Sequence, residues 1–514
     1  MRVKYIHPFL LSAGVAGFCH GEAPETEGQM ANRKPLNVVF ILSDDHRYDY
    51  MGFMNAVPWL ETPHMDRMAR EGAHIKNAFV TTSLSSPSRA SILTGMYSHA
   101  HKVVDNSAPL PAGLRFFPEY LQAAGYKTAF FGKWHMGNDS GAPQPGFHHW
   151  EGFRGQGEYY NPRINTNGEW IEYADSTYVT DLLTEHAIDF MKKQQADNAP
   201  FFVYLSHKGV HDDFSAAKRH KDCYKEEEIV LPPSFNVPTY GIKELPSLDP
   251  VTGKAAAGKA YYGENMMPDW VKRQRESWHG VDYSYHGRPW DVQVRKYCET
   301  LRSVDESVGA VLDYLKENGL DENTLVIYMG DNGFAWGEHG LIDKRQFYEE
   351  SVRVPMLAWC PGILAEGGLV VENMVQNVDI APTIMDFLGL EKAEQMVGYS
   401  FIPLLKGERP DWRERIFYEY YWEHEFPQTP TMHGVRTDRY KYIRYHGIWD
   451  TNEFYDLLVD PYEMNNLIAS PEHQRVIRLL NHDLYDWLED TEGMSIPLKR
   501  TERPHSDHRN MRFY

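Results

Sequence analysis

The 514-residue chain is poor in cysteine, in long apolar runs and in positive charge. Its four cysteines, Cys19, Cys223, Cys298 and Cys360, show no CxxC spacing and none lies beside a cluster of histidines. A disulfide framework or a thiolate zinc site is thereby excluded as the organising principle. Beyond the N-terminus no stretch approaches the roughly 18 to 20 apolar residues that a membrane helix needs. Lys and Arg number 52 against 72 Asp and Glu, a formal net charge of −20. Such a balance excludes the broad positive field on which general nucleic-acid binding rests. It also speaks against a polyanionic substrate. What remains, 42% hydrophobic and 24% charged residues, is the composition of a folded globular chain. Its length exceeds what one core usually organises, so a large domain with a smaller appendage is expected.

The first residues, MRVKYIHPFLLSAGVAGFCHG, place Arg2 and Lys4 ahead of an apolar run from Pro8 to Phe18. This is the charge-then-apolar order of an export signal, and the run is too short to span a membrane. A signal over residues 1–22 is expected, then a solvated tether over 23–35. Cys19 is an alternative lipidation point, against which stands the bulk of Phe18. The runs NVVFILSDDH, KTAFFGKWHMG, FFVYLSHKGVH and TLVIYMGDNG each read as a buried strand ending in polar residues. Helical patterns such as YVTDLLTEHAIDFMKKQ and VRKYCETLRSVDESVGAVLDYLKENG separate them, the latter closing on a glycine. Alternation of this kind predicts an α/β fold with a large, mostly parallel sheet flanked by helices. Ligands in such folds gather beyond the carboxyl ends of the strands, where all four polar terminations fall. The large unit is expected over 36–406. Short aromatic and β-branched runs over 407–514 predict a smaller antiparallel sheet with one helix. Residues 212–291, rich in Pro, Gly, Tyr and charge, predict long loops over a site.

Asp44 and Asp45 end one strand, and Asp331 with Asn332 ends another. Adjacent ionised carboxylates repel, and a bound cation is the usual remedy. Three carboxylates and an amide oxygen form an all-oxygen set that suits calcium or magnesium and not zinc. Either pair alone reads equally well as a polar turn. In TTSLSSPSRASILTG, Pro87 fits the first turn of a helix, with Ser86 as its cap and Gly95 at its end. Ser85 would then precede a helix N-terminus, where backbone amides favour an anion, and Arg89 would reach back towards it. A capped helix with a surface arginine fits the local pattern too.

Ser85-Ser86-Pro87-Ser88-Arg89, followed by Thr94-Gly95, resembles the signature of the formylglycine-dependent sulfatases, of the alkaline phosphatase superfamily. GYKTAFFGKWHMG resembles their second signature, and the order SDDH, SSPSR, GKWH, SHKGVH, GDNG and DK extends the likeness over nearly the whole chain. The resemblance implies that Ser85 is oxidised to formylglycine, whose hydrate attacks sulfur and whose second hydroxyl then expels sulfate. It implies Asp44, Asp45, Asp331 and Asn332, together with the modified Ser85, as ligands of one calcium ion. Arg89 would hold the hydrate, Lys133 and Lys344 the sulfate, and His135 would assist the hydrate. His211 would protonate the leaving group, with His207 as rival.

A serine at the modified position implies maturation by the radical enzyme of anaerobic bacteria. A sulfated oligosaccharide in the periplasm is the implied substrate. GMYSHAHKVVDN, from Gly95 to Asn106, is similar to a stretch of sulfatases acting on 6-sulfated hexosamines, and favours 6-O-sulfated GlcNAc or GalNAc. The alternatives are GalNAc 4-O-sulfate or uronate 2-O-sulfate, a phosphatase or phosphodiesterase of the same superfamily, and an inactive glycan-binding relative. For the last, the aromatic and basic stretch from Asp269 to Asp291 would grip sugars.

Overall fold

The computed structural model describes residues 35–497, apart from 138–139, 236–245, 249–254, 258–265, 278, 282–288, 366 and 448–449. The expected signal, Cys19 and all of the tether but Pro35 lie outside the described residues, as does much of the stretch from Asp269 to Asp291. From Leu36 onward the chain is one compact unit.

A ten-stranded mixed sheet is its centre. From one edge run Leu369–Val371, Ala73–Ile75, Met356–Trp359, Thr324–Gly330, Asn37–Ser43, Phe201–Ser206, Lys127–Lys133, His149–Phe153, Arg163–Thr166 and Glu169–Glu172. The five strands from Thr324–Gly330 to His149–Phe153 are parallel neighbours, flanked on both sides by antiparallel pairs, and the edge strand Leu369–Val371 runs parallel to Ala73–Ile75. Asn37–Ser43 is buried at every position. Its alternation sends Val38, Phe40 and Leu42 into one apolar core and Val39 and Ile41 into another. A strand covered on both faces needs this continuous apolar run. Helices Ser85–Thr94 and Ile380–Phe387 contribute to the first core, Val179–Ala196 and Trp290–Glu317 to the second. The long helix Trp290–Glu317 stops short of the expected glycine: Asn318 caps it and Gly319 follows in the left-handed region at φ 61°.

Register positions the site. Ser43 lies opposite Gly330, and Gly132 opposite Ser206. The parallel strands therefore end at one level, and Asp44-Asp45, Asp331-Asn332 and Lys133 emerge together. The predicted smaller sheet is present as the antiparallel strands Arg415–Tyr420, Thr431–Thr437, Tyr440–His446 and Glu453–Asp456. Helix Gln474–Asp490 covers it through Ile477, Leu480, Leu484 and Trp487 packed with Val435, Tyr442 and Phe454. Ile416, Tyr418 and Met432 of this sheet join the core that holds Phe40 and Leu42. The described part of 212–291 contains helix Asp269–Arg275, the first two residues of helix Trp290–Glu317, and the strand pair Pro246–Leu248 with Ala255–Ala257.

Candidate active site

The acids at the strand ends meet in a buried cluster. Asp44, Asp45, Asp331 and Asn332 are all at most 1% exposed. The Asp45 amide donates to Asp331 Oδ1 at 3.0 Å, and Asn332 Nδ2 donates to Asp45 Oδ1 at 2.7 Å. Asp45 holds a left-handed backbone at φ 58°, strain of the kind that functional sites store. Burial alone would push the Asp44 carboxyl up, but Lys133, with Arg89 and Lys344, outweighs it and holds the group well below its ordinary range. Asp45 is pushed up to about 7, by burial first; Asp44 and Asp331 add to the rise and Lys344 opposes it. Burial and the Asp44 charge also raise Asp331.

The helix that faces this cluster starts two residues earlier than the sequence suggests. Leu84 is the N-cap, Ser85 is the first residue, and Gly95 at φ 67° ends the helix. Ser86 is not the cap; its hydroxyl is spent on the His135 carbonyl, and its amide donates to Asn106 Oδ1 at 3.1 Å. Ser85 Oγ donates to Asp44 Oδ1 at 3.4 Å. Arg89, 1% exposed, lies one turn on, with Nε 2.9 Å from Asp331 Oδ2 and Nη1 donating to the Lys133 carbonyl and to Ser206 Oγ, both at 2.7 Å.

The other sequence candidates converge on the same point. The Lys133 ammonium pairs with Asp44. Lys344 donates to both Asp45 oxygens, at 2.6 Å to Oδ2. His211 Nε2 lies 3.8 Å from Asp45 Oδ2, while its Nδ1 sits 2.9 Å from the Asp212 carbonyl. Burial, then Lys133, holds both His135 and His211 well below the usual histidine value, so both are neutral. His207 is elsewhere: fully buried, 2.9 Å from Ser307 Oγ, and pushed down to about 3 by burial.

A family model described as Sulfatase matches residues 36–390. The chain belongs to the sulfatase family. A second model, the C-terminal part of N-sulphoglucosamine sulphohydrolase, matches residues 337–490. Among curated relatives, an N-acetylglucosamine-6-O-sulfatase of Bacteroides thetaiotaomicron is 31% identical over 90% of this chain and 87% of its own length. The human N-acetylglucosamine-6-sulfatase is 29% identical over 79% of this chain and 70% of its own. The solved structure of BT4656 in complex with its substrate, D-glucosamine-2-N,6-O-disulfate, superposes with a TM-score of 0.78 at 28% identity. It covers 91% of this chain and 100% of its own. The chain is thus a sulfuric ester hydrolase with the alkaline phosphatase-like sulfatase fold.

A sulfatase requires a formylglycine and a divalent metal, and the residues present fit both. Asn332 Oδ1 is buried without a hydrogen-bond partner among the described residues, in a cluster of carboxylate oxygens. Asp44, Asp45 and His211 present ligand atoms within 4.8 Å of one another. Lys133 and Lys344 here neutralise the oxygens that a cation would otherwise occupy.

Several sulfatase-site residues carried no sequence signal. Gln156 Nε2 lies 3.0 Å from His135 Nε2, the Tyr159 hydroxyl donates to the His211 carbonyl at 2.5 Å, and the Tyr297 hydroxyl donates to the Asp45 carbonyl at 2.7 Å. The two histidines of GMYSHAHKVVDN are structural. His99 meets Glu419 at 2.8 Å, and His101 meets Ser91 Oγ at 3.1 Å. Asn106 of that stretch reaches the first turn of the Ser85 helix, where its Oδ1 accepts from the Ser86 amide.

Proposed function

We propose that this sulfatase removes the 6-O-sulfate of a GlcNAc or GalNAc residue in a sulfated oligosaccharide, using a formylglycine made from Ser85 and one calcium ion. The observation that carries the reading is Ser85 Oγ on Asp44 at a helix N-terminus, with Lys133 on the same carboxylate and Arg89 locked beside it. The sugar class is supported by the Bacteroides and human relatives and by the disulfated glucosamine bound to BT4656. Calcium is supported by a ligand set made only of oxygen, Asp44, Asp45, Asp331, Asn332 and the modified Ser85. The hydrate would supply a paired hydroxyl nucleophile and the ion a fixed double charge for the ester.

The chain's own residues do the rest. Backbone amides of the helix start favour the sulfate anion. Arg89, held by Asp331, Ser206 and the Lys133 carbonyl, is a fixed charge that needs no reorganisation as negative charge develops. Lys133 and Lys344 neutralise the sulfate oxygens. His135, neutral in the free site, assists the hydrate at position 85 and its elimination. His211 is also neutral in the free site, and an anionic ester beside it favours its protonated form. It then donates that proton to the departing sugar oxygen.

The order of residues 1–22 supports export to the periplasm, and no described helix is long and apolar enough to cross a membrane. A serine at position 85 fits the radical-type maturase of anaerobic bacteria. Mass spectrometry of the peptide spanning Ser85, after co-expression with such a maturase, should show the loss of two hydrogens. Turnover should be greatest on 6-O-sulfated hexosamine, and lower on GalNAc 4-O-sulfate and uronate 2-O-sulfate. An intact serine with no turnover in the native host would sink the reading.

A further inference from the structure

A second cluster of metal-ligand side chains lies outside the sulfatase site. His339 stands in the turn between the short strands Ala335–Trp336 and Ile342–Asp343, Glu350 in helix Glu349–Val352, and Glu463 beyond strand Glu453–Asp456. Each offers one ligand atom, and the three atoms lie within 4.8 Å of one another. Exposure is 3% for His339, 5% for Glu350 and 0% for Glu463. Burial so complete normally demands a partner for every polar atom. Yet His339 Nε2 and Glu350 Oε2 have no hydrogen-bond partner among the described residues.

The surrounding charges sharpen the point. Glu349 is paired with Arg436, Glu338 with Arg47, and Glu463 with Lys441. Glu350 meets no Lys or Arg within ion-pair distance among the described residues. The Lys441 ammonium is already shared among Glu349, Glu463 and the Phe347 carbonyl, so it has nothing left for Glu350. The His339 ring is fixed by stacking on Tyr348 at 4.0 Å.

We propose that His339, Glu350 and Glu463 bind a zinc-class divalent cation, a second metal site distinct from the calcium site. One imidazole and two carboxylates match zinc, which takes nitrogen and oxygen ligands in a four-coordinate site. Calcium prefers six to eight oxygens and no imidazole. Ligand atoms around one zinc ion stand roughly 3.4 Å apart, so closure from the observed spacing takes shifts of about 1 Å. The ion satisfies the two orphaned atoms and supplies the positive charge that Glu350 lacks. It also ties the turn that precedes Lys344 to the C-terminal sheet.

The test uses the full chain, saturated with calcium, stripped of transition metals and then titrated with zinc chloride. One tightly held zinc per chain is expected by elemental mass spectrometry after desalting, together with a higher Tm. Glu350→Gln and His339→Gln should each weaken zinc at least 100-fold and abolish the Tm rise, whereas Asp331→Asn should keep both. Wild-type chain loaded with cobalt(II) should show the intense visible absorption of a low-coordinate site, a reading that needs no variant to fold. Absence of tight zinc, undiminished zinc in the folded Glu350→Gln chain, zinc lost with Asp331→Asn, or a six-coordinate, all-oxygen cobalt spectrum would each overturn the site.

Discussion

On the proposed mechanism two histidines with similar surroundings take different roles, and each is held by its own partner. His135 is held at Nε2 by Gln156, and His211 is held at Nδ1 by the Asp212 carbonyl. An acid for the leaving group matters in proportion to the leaving group's basicity. His211→Ala should therefore slow hydrolysis of a sugar sulfate by about 10² to 10⁴, the usual span for a general acid. An aryl sulfate, whose phenolate departs without help, should lose far less. Equal losses on the two substrates, in kcat/KM, would remove His211 from that role. Ser85→Ala should instead abolish both alike, by a factor on the order of 10⁴ or more, with Tm unchanged. Replacing Gln156 by Ala frees His135 to turn, which lowers kcat and leaves KM close to its original value.

At the level of elements, the site depends on five strands stopping in step. Gly132 makes that possible in the strand that carries Lys133. Its φ is +112°, and a Cβ there would stand 1.9 Å from the Ser206 carbonyl oxygen. Gly132→Ala must push apart strands Lys127–Lys133 and Phe201–Ser206, which carry two of the groups that Arg89 grips. A loss of about 3 kcal/mol or more is expected from backbone strain and broken pairing together, read as a fall in Tm with activity lost in parallel. Unchanged Tm would mean that the sheet can yield there. Such strand ends were legible in the sequence because an apolar run that stops at DD, DN or GK announces both the element and its polar edge. The first residue of the Ser85 helix was not, because Ser86 has the chemistry of a cap and only the His135 carbonyl, 49 residues away, claims its hydroxyl. Gln156, Tyr159 and Tyr297 were invisible for the same reason. Each reaches its target from a distant segment, 21, 52 and 252 residues away along the chain, and no local pattern marks a contact of that kind.

For the whole molecule, the net charge of −20 proves a poor guide to the site. Asp44, Asp45 and Asp331 are matched one for one by Lys133, Lys344 and Arg89. A bound divalent ion makes the pocket positive, and screening within about 8 to 10 Å keeps the acidic surface from reaching it. Buried carboxylates outside the pocket decide instead how stability depends on pH. Glu453 is enclosed by the hydroxyls of Tyr348, Tyr445 and Tyr455. Burial pushes its carboxyl up from 4.5 to about 7, against the pull of those three donors. Folding thus favours the protonated form. The stabilisation is fully present below pH 4.5 and is lost as pH rises through 7, a change on the order of 3 kcal/mol. Glu419 behaves oppositely. Burial alone would raise it, but His99 holds it down at about 2, so its contribution is lost as pH falls from about 4.5 to 2. The two trends cross near pH 4.5, where the stability maximum falls, and Tm should decline from there towards pH 8. Measured with the divalent metal in excess, the profile would leave the proposed ligand Asp45 out of this comparison. Glu453→Gln, neutral at every pH, should flatten the alkaline limb of the Tm profile while leaving the acid limb in place. An alkaline limb as steep in the variant as in the parent would show that the tyrosine hydroxyls keep Glu453 ionised in the folded chain.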